Sequence, residues 1–196
     1  FQFESSGMKA CLSRLKPTKF EEIIAMNALY RPGPMDLIPD YIKRKKGEAA
    51  VEYDFPELED ILKETYGIMV YQEQVMLISM KIGGLSRGEA DMLRKAIGKK
   101  DAEKLQKLGE TFISRAIERG YDKQKVEKLF EQIQKFGLYG FNKSHSAAYA
   151  FVAYHTAYIK TYYREEFFAA LLNTETSDPD KFVAHIKECK EKGIKI

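Results

Sequence analysis

The stretch Ser86–Gly120, SRGEADMLRKAIGKKDAEKLQKLGETFISRAIERG, decides the fold class because it punctuates two helices back to back. Ser86 and Glu89 form a capping box, a hydroxyl and a carboxylate three residues apart that satisfy each other's backbone N–H groups. Gly98 offers a stop for the first helix. Asp101 offers an acceptor cap for the long amphipathic segment that follows, and Gly120 ends it.

The same signals recur outward in both directions. Asp122 caps KQKVEKLFEQIQKFG, Gly137 and Gly140 bracket a turn, and Ser146–Asn173 reads as one long helix rich in alanine and tyrosine. Asp178 or Asp180 serves as a turn or cap residue ahead of a last helix around DKFVAHIKECKEKG. Upstream, a second capping box is expected from Thr18 to Glu21, opening KFEEIIAMNALY with Phe20, Ile23, Ile24 and Asn27 on one face. That helix ends at YRPGPMD, where Pro32 biases Arg31 out of helical geometry and Gly33-Pro34 makes a stiff turn. A helix around PDYIKRKKGE closes at Gly47, Pro56 starts FPELEDILKETYG, and QEQVMLISMKIGG is again helical. Strand signals are confined to GIMVY and the closing KEKGIKI. The expectation is a mainly α, multi-helix domain with little β structure. It forms one unit with room for lobes over 1–66, 67–140 and 141–196.

Composition restricts the function classes. The chain has 196 residues, 31% charged and 44% hydrophobic, with a formal charge of +3. That excess is too small to argue for nucleic acid, so only local clusters of lysine and arginine speak. No apolar run is long enough for a bilayer, Cys11 and Cys189 show neither metal-ligand nor disulfide spacing, and a cytoplasmic setting is the expectation. The start without methionine and the abrupt end read as a piece of something longer. Walker loop, dinucleotide fingerprint, histidine metal pair and serine elbow are all missing from the sequence, and no metal site is expected in this chain.

Three polar constellations stand out. In RKAIGKK, Lys95 and Lys99 share a helix face, with Arg94 and Lys100 beside them, a patch suited to polyphosphate and equally to a solvated helix end. In YRPGPMD the turn holds Arg31, and Lys43, Arg44, Lys45 and Lys46 follow; the last two read as solvated surface. In GFNKSHSAAYA, Gly140–Ala150, a cap at Ser144 or Ser146 would aim first-turn N–H groups to the same side as Asn142, Lys143 and His145. A helix N-terminus so furnished suits an anion. The plainer alternative makes Ser146 a simple cap and His145 a half-buried histidine. Tyr149 stacks on a base or merely packs, and packing is the expectation for most of the tyrosines.

ALYRPGPM, YGIMVYQEQVM, ADMLRKAIGKK and YGFNKSHSAAYA, in this order and spacing, closely resemble the fingers domain of the bacterial replicative DNA polymerase III alpha subunit, the C family of DNA polymerases. The similarity runs over nearly the whole chain. The resemblance implies that this region closes over an incoming deoxynucleoside triphosphate and helps position primer-template DNA, alongside the remaining polymerase domains and replisome subunits. It places the catalytic aspartates and the magnesium of the full enzyme in a palm outside this chain. Arg31, Arg94, Lys95, Lys99, Lys100, Asn142, Lys143, Ser144, His145 and Tyr149 are then the expected nucleotide-binding residues, and Lys43 and Arg44 the expected DNA contacts. An independent single-strand-binding module and a helical interaction scaffold are the alternatives. Exposed aromatic faces would favour the first.

Overall fold

The computed structural model describes residues 2–137 and 139–195. It comprises two compact units, Gln2–Ala150 and the segment from Phe151 onward. Among the described residues there are eleven α-helices and no strand. GIMVY contributes only an isolated parallel bridge, Tyr71 to Phe141, because Ile68 and Val70 are buried between helices and not beside a second strand. The described part of KEKGIKI is likewise not strand.

The first unit has two hydrophobic centres. One gathers α1 (Ser6–Leu15), α2 (Phe20–Leu29) and α3 (Ile38–Lys45) around Met8, Leu15, Met26, Leu29, Tyr41 and Ile42. Arginine, proline and glycine after α2 lead into a 3-10 turn, Pro34–Leu37. The other is built by α4 (Glu59–Leu62), α5 (Gln72–Lys81), α6 (Arg87–Lys99), α7 (Ala102–Glu118) and α8 (Lys123–Gly137). Leu93, Phe112 and Ile133 are fully buried there, each side chain stabilising by about 1.5–3 kcal/mol. The amphipathic pattern of α7 and α8 explains their pairing: Phe112 and Phe130 stack with centroids 5.3 Å apart.

The helix starts follow the caps that the sequence announces. Ser86 Oγ accepts from Glu89 N–H at 3.3 Å and Glu89 accepts from Ser86 N–H at 2.7 Å. Asp101 accepts from Lys104 N–H, Asp122 from Lys125 N–H and Asp178 from Lys181 N–H. Glu89 also takes both guanidinium arms of Arg115 at 2.9 and 3.0 Å, and these bonds hold its pKa down to about 2.

Several expectations need correction. The reaching glutamate of α2 is Glu22, not Glu21: it accepts from Thr18 N–H at 2.7 Å and Lys19 N–H at 3.4 Å, drawn inward by Tyr66 and Lys45 while Glu21 faces solvent. Gly98 stays inside α6, whose end falls at Lys100 in left-handed geometry, φ +56°. Lys45 is not solvated surface. Its ammonium donates to Leu15 O at 3.0 Å and Lys16 O at 2.6 Å and lies 3.7 Å from Glu22, locking α3 to the end of α1. Ser5 caps α1, a helix that the sequence pattern did not announce.

The long C-terminal helix divides at Tyr163, φ −131° and ψ 60°, into α9 (Lys143–Tyr162) and α10 (Arg164–Thr174), followed by α11 (Pro179–Glu191). Glu165 and Glu166 in the first turn of α10 are the signal for that start. In the second unit Phe168 and Cys189 are buried, and Lys160 pairs with Glu188 at 2.7 Å. Packing is expected for most tyrosines of the chain, and exceptions gather here. Tyr154, Tyr158, Tyr162 and Tyr163 are 48–68% exposed.

Candidate functional site

The turn between α8 and α9 is held by close packing and by donors from two distant residues, Arg31 and Gln72, with Arg94 behind Gln72. A Cβ on Gly137 would overlap Ile97 Cγ2, so the last turn of α8 lies against α6 more closely than any side chain permits. Tyr139 O accepts from Arg31 Nη2 at 2.7 Å. Gly140 O accepts from Gln72 Nε2 at 3.1 Å, and Phe141 O accepts from Gln72 N–H at 2.9 Å. Gln72 Oε1 in turn accepts from Arg94 Nη1 at 3.2 Å. Arg31, the start of α5, the middle of α6 and the mouth of α9 therefore meet around one short turn.

Each arm of this arrangement has a local cause. Arg31 leaves α2 where Pro32 stops it, donates Nε to Ala28 O at 2.9 Å and lies 4.2 Å over the Phe141 ring. Burial lowers its pKa, although it stays cationic at any ordinary pH. Gly33, at φ +99°, brings the backbone against Tyr139, whose ring a Cβ there would overlap. On α6, Asp91 accepts from Arg94 Nε and Nη2 at 3.1 and 2.8 Å and from Lys95 at 2.7 Å. Bonds from Lys95 and Arg94 hold its pKa below the usual carboxylate range. The basic patch thus splits: Arg94 and Lys95 are paired, whereas Lys99 and Lys100 stand exposed at the helix end.

At the mouth of α9 the cap is Asn142, not Ser144 or Ser146. Asn142 Oδ1 accepts from His145 N–H at 2.8 Å and its carbonyl from Ser146 N–H at 3.2 Å. Ser144 is exposed. Ser146 is buried because its Oγ donates to Ile24 O at 2.6 Å while its carbonyl accepts from Asn27 at 3.4 Å, stapling α9 to α2. His145 is exposed, not half-buried. Its ring meets Phe141 edge-on at 5.2 Å and Tyr149 at 4.6 Å, extending the Arg31–Phe141 stack into a column. Asn142→Ala is expected to lower stability by about 1 kcal/mol in denaturant melts, the usual effect of losing a cap.

Two residues that sequence reasoning did not single out sit against these donors. Glu73 accepts from Asn142 Nδ2 at 2.8 Å and from Lys143 N–H with both oxygens at 3.1 Å. Glu64 pairs with Lys143 Nζ at 2.7 Å, and that ammonium lies 5.4 Å from the Tyr71 ring centroid. Glu64 lies in the 3-10 turn Lys63–Thr65 and Glu73 in the first turn of α5, where a single glutamate carries no signal of a distant partner. Of the expected DNA contacts, Arg44 donates to Tyr66 O at 3.1 Å and Lys43 is exposed. Among the described residues no hydrogen bond, ion pair or ring contact joins Lys43, Arg44, Lys99 or Lys100 to the turn. A cavity of about 650 Å³ lies between the Gly33–Leu37 turn, the Gly67–Val70 segment and α8, with Lys125, Lys128 and Lys135 among the residues that line it. Among the described residues no group of three His, Cys, Asp or Glu side chains is placed to hold a metal.

Residues 1–120 match the model of the bacterial DNA polymerase III alpha subunit finger domain. The chain belongs to that finger-domain family. It is similar along its whole length to DNA polymerase III subunit alpha of Aquifex aeolicus and of Campylobacter jejuni, each at 54% identity, and of Thermus aquaticus at 49%. It spans 16–17% of the length of these relatives. The finger-domain match ends within α7–α8 surroundings at residue 120, while the similarity to the relatives continues through the turn and α9. Among the described residues no helix is long and apolar enough to cross a membrane.

Proposed function

We propose that this finger domain works within a DNA-directed DNA polymerase, where it binds the incoming deoxynucleoside triphosphate and helps position primer-template DNA. The observation that carries the reading is the assembly of Arg31, Arg94, Asn142, Lys143 and His145 around the 139–145 turn. A triphosphate poised for in-line attack carries charge that metal neutralises only in part, so transfer depends on fixed donors. A helix N-terminus with a lysine and a histidine beside it supplies them. Lys95, Lys99 and Lys100 extend the positive surface along α6, Ser144 adds a hydroxyl at the mouth of α9, and Tyr149 offers a ring for the base or sugar. Lys43 and Arg44 are assigned to DNA backbone. The catalytic aspartates and their magnesium belong to a palm outside this chain, so the segment alone is expected to leave a primed template unextended. The polymerase setting is cytoplasmic, with other replisome subunits as partners.

The test is Lys99→Ala in the full-length alpha subunit. Loss of one charge-assisted phosphate contact should reduce kcat/KM for nucleotide about tenfold while helix content by circular dichroism is unchanged. Unchanged kcat/KM would remove Lys99 from the site.

The exposed rings of Tyr154, Tyr158 and Tyr162 favour a second reading, a stacking surface for single-stranded template. Tyr158→Ala with Tyr162→Ala should then weaken template affinity in anisotropy titrations without altering nucleotide KM. Equal template affinity would exclude it.

A further inference from the structure

The donors at the mouth of α9 are already occupied by the protein's own carboxylates. Glu73 engages the Lys143 N–H and the Asn142 amide, and Glu64 neutralises the Lys143 ammonium. Within this cluster one lysine faces two glutamates, so the resting mouth carries no net positive charge. Glu64 is held on α5's approach side by its position in the 3-10 turn Lys63–Thr65, and Glu73 by the first turn of α5. Both therefore sit next to buried anchors of those elements, Thr65 and Gln74.

We infer that Glu73 and Glu64 act as built-in surrogate anions, a pair of positioning residues that keep Asn142 and Lys143 ordered and must be displaced by an incoming polyphosphate. This inference rests on the proposed nucleotide role of the turn. Its physical content is a competition. A single weakly charged anion gains too little from the mouth of α9 to expel two carboxylates, whereas a triphosphate brings several charges and accompanying metal, so the glutamates select for polyanions. No covalent bond is made or broken in the exchange.

The test uses the full-length alpha subunit with Glu73→Gln, which keeps an acceptor for Asn142 and Lys143 but removes the charge. Turning a charge-assisted contact into a neutral one should lower KM for nucleotide about fivefold and lower the inhibition constant of inorganic triphosphate by a similar factor. Glu64→Gln should move both in the same direction, and kcat should change less than KM. Thermal melts accompany each variant, and a gain in affinity despite equal or lower melting temperature is the signature that a purely structural glutamate would not give. An unchanged or raised KM in folded Glu73→Gln and Glu64→Gln overturns the surrogate role. Lys143→Ala in the same assay separates the two levels. If it raises KM while the glutamine variants do not lower it, only the surrogate role fails; if it leaves KM at the wild-type value, the nucleotide role of the turn fails with it.

Discussion

Glu22→Ala is expected to destabilise the first unit by about 3–5 kcal/mol, the scale for removing one partner of a buried charged network. Glu22 is 1% exposed and accepts from Thr18 N–H, Lys19 N–H and the Tyr66 hydroxyl, with the Lys45 ammonium 3.7 Å away. Truncation leaves two backbone donors and a hydroxyl without their acceptor and removes the counter-charge of the Lys45 ammonium, which keeps its bonds to Leu15 O and Lys16 O, and α2 loses its N-terminal anchor. Burial by itself pushes the Glu22 carboxyl up, but the bonds from Tyr66, Thr18 and Lys19 together with Lys45 outweigh it, and the folded pKa lies below the ordinary glutamate value. The sign follows from linkage. A folded pKa below the unfolded one gives stability that is present above the unfolded pKa and lost as the pH falls through the folded one. Urea melts across the acid range should therefore show a steeper loss for the wild type than for Glu22→Gln. A Glu22→Ala chain within about 1 kcal/mol of wild type would show that water replaces the carboxylate in this site.

Lys143→Ala with His145→Ala in the full-length alpha subunit is expected to reduce nucleotide incorporation about 100-fold, the scale of one to two lost charge-assisted contacts to phosphate. The fold should tolerate the pair. Asn142 keeps the cap through its own Oδ1, and Ser146 keeps its bond to Ile24 O, so neither substitution removes a group that closes α9 on α2. His145 contributes a second handle: it is exposed in the chain, so His145→Ala alone should lower incorporation without moving the melting temperature. Single-turnover incorporation at several nucleotide concentrations checks both. Wild-type rates and affinity in the double variant would leave the polar mouth of α9 as a capped turn only.

What the sequence made legible was local chemistry. Ser86, Asp101, Asp122 and Asp178 cap the helices that they announce because a short acceptor side chain satisfies its own helix without reference to the rest of the fold. Where a side chain has a distant competitor, the pattern misleads. Ser146 has the chemistry of a cap but finds Ile24 O on α2, and Lys45 has the chemistry of surface but finds carbonyls at the end of α1. Gly98 stays helical because a lone glycine only weakens a helix, while Lys100 accepts the left-handed turn. At the candidate site the donors were readable as types, since Asn142, Lys143 and His145 are adjacent in the chain. Glu64 and Glu73 were not, because their partners lie 69 to 79 positions away and only folding brings them together. The break at Tyr163 has neither glycine nor proline to mark it, only the acidic start of the next helix.

The most direct test of the nucleotide role is a structure of the full-length alpha subunit with primer-template and a non-hydrolysable incoming nucleotide. The account predicts triphosphate oxygens within hydrogen-bond distance of the Lys143 ammonium and of first-turn N–H groups of α9, with the Glu73 carboxylate moved off the Lys143 N–H. A triphosphate bound beyond hydrogen-bond reach of Lys143, His145 and Arg94, with Glu73 still on the mouth of α9, would contradict it.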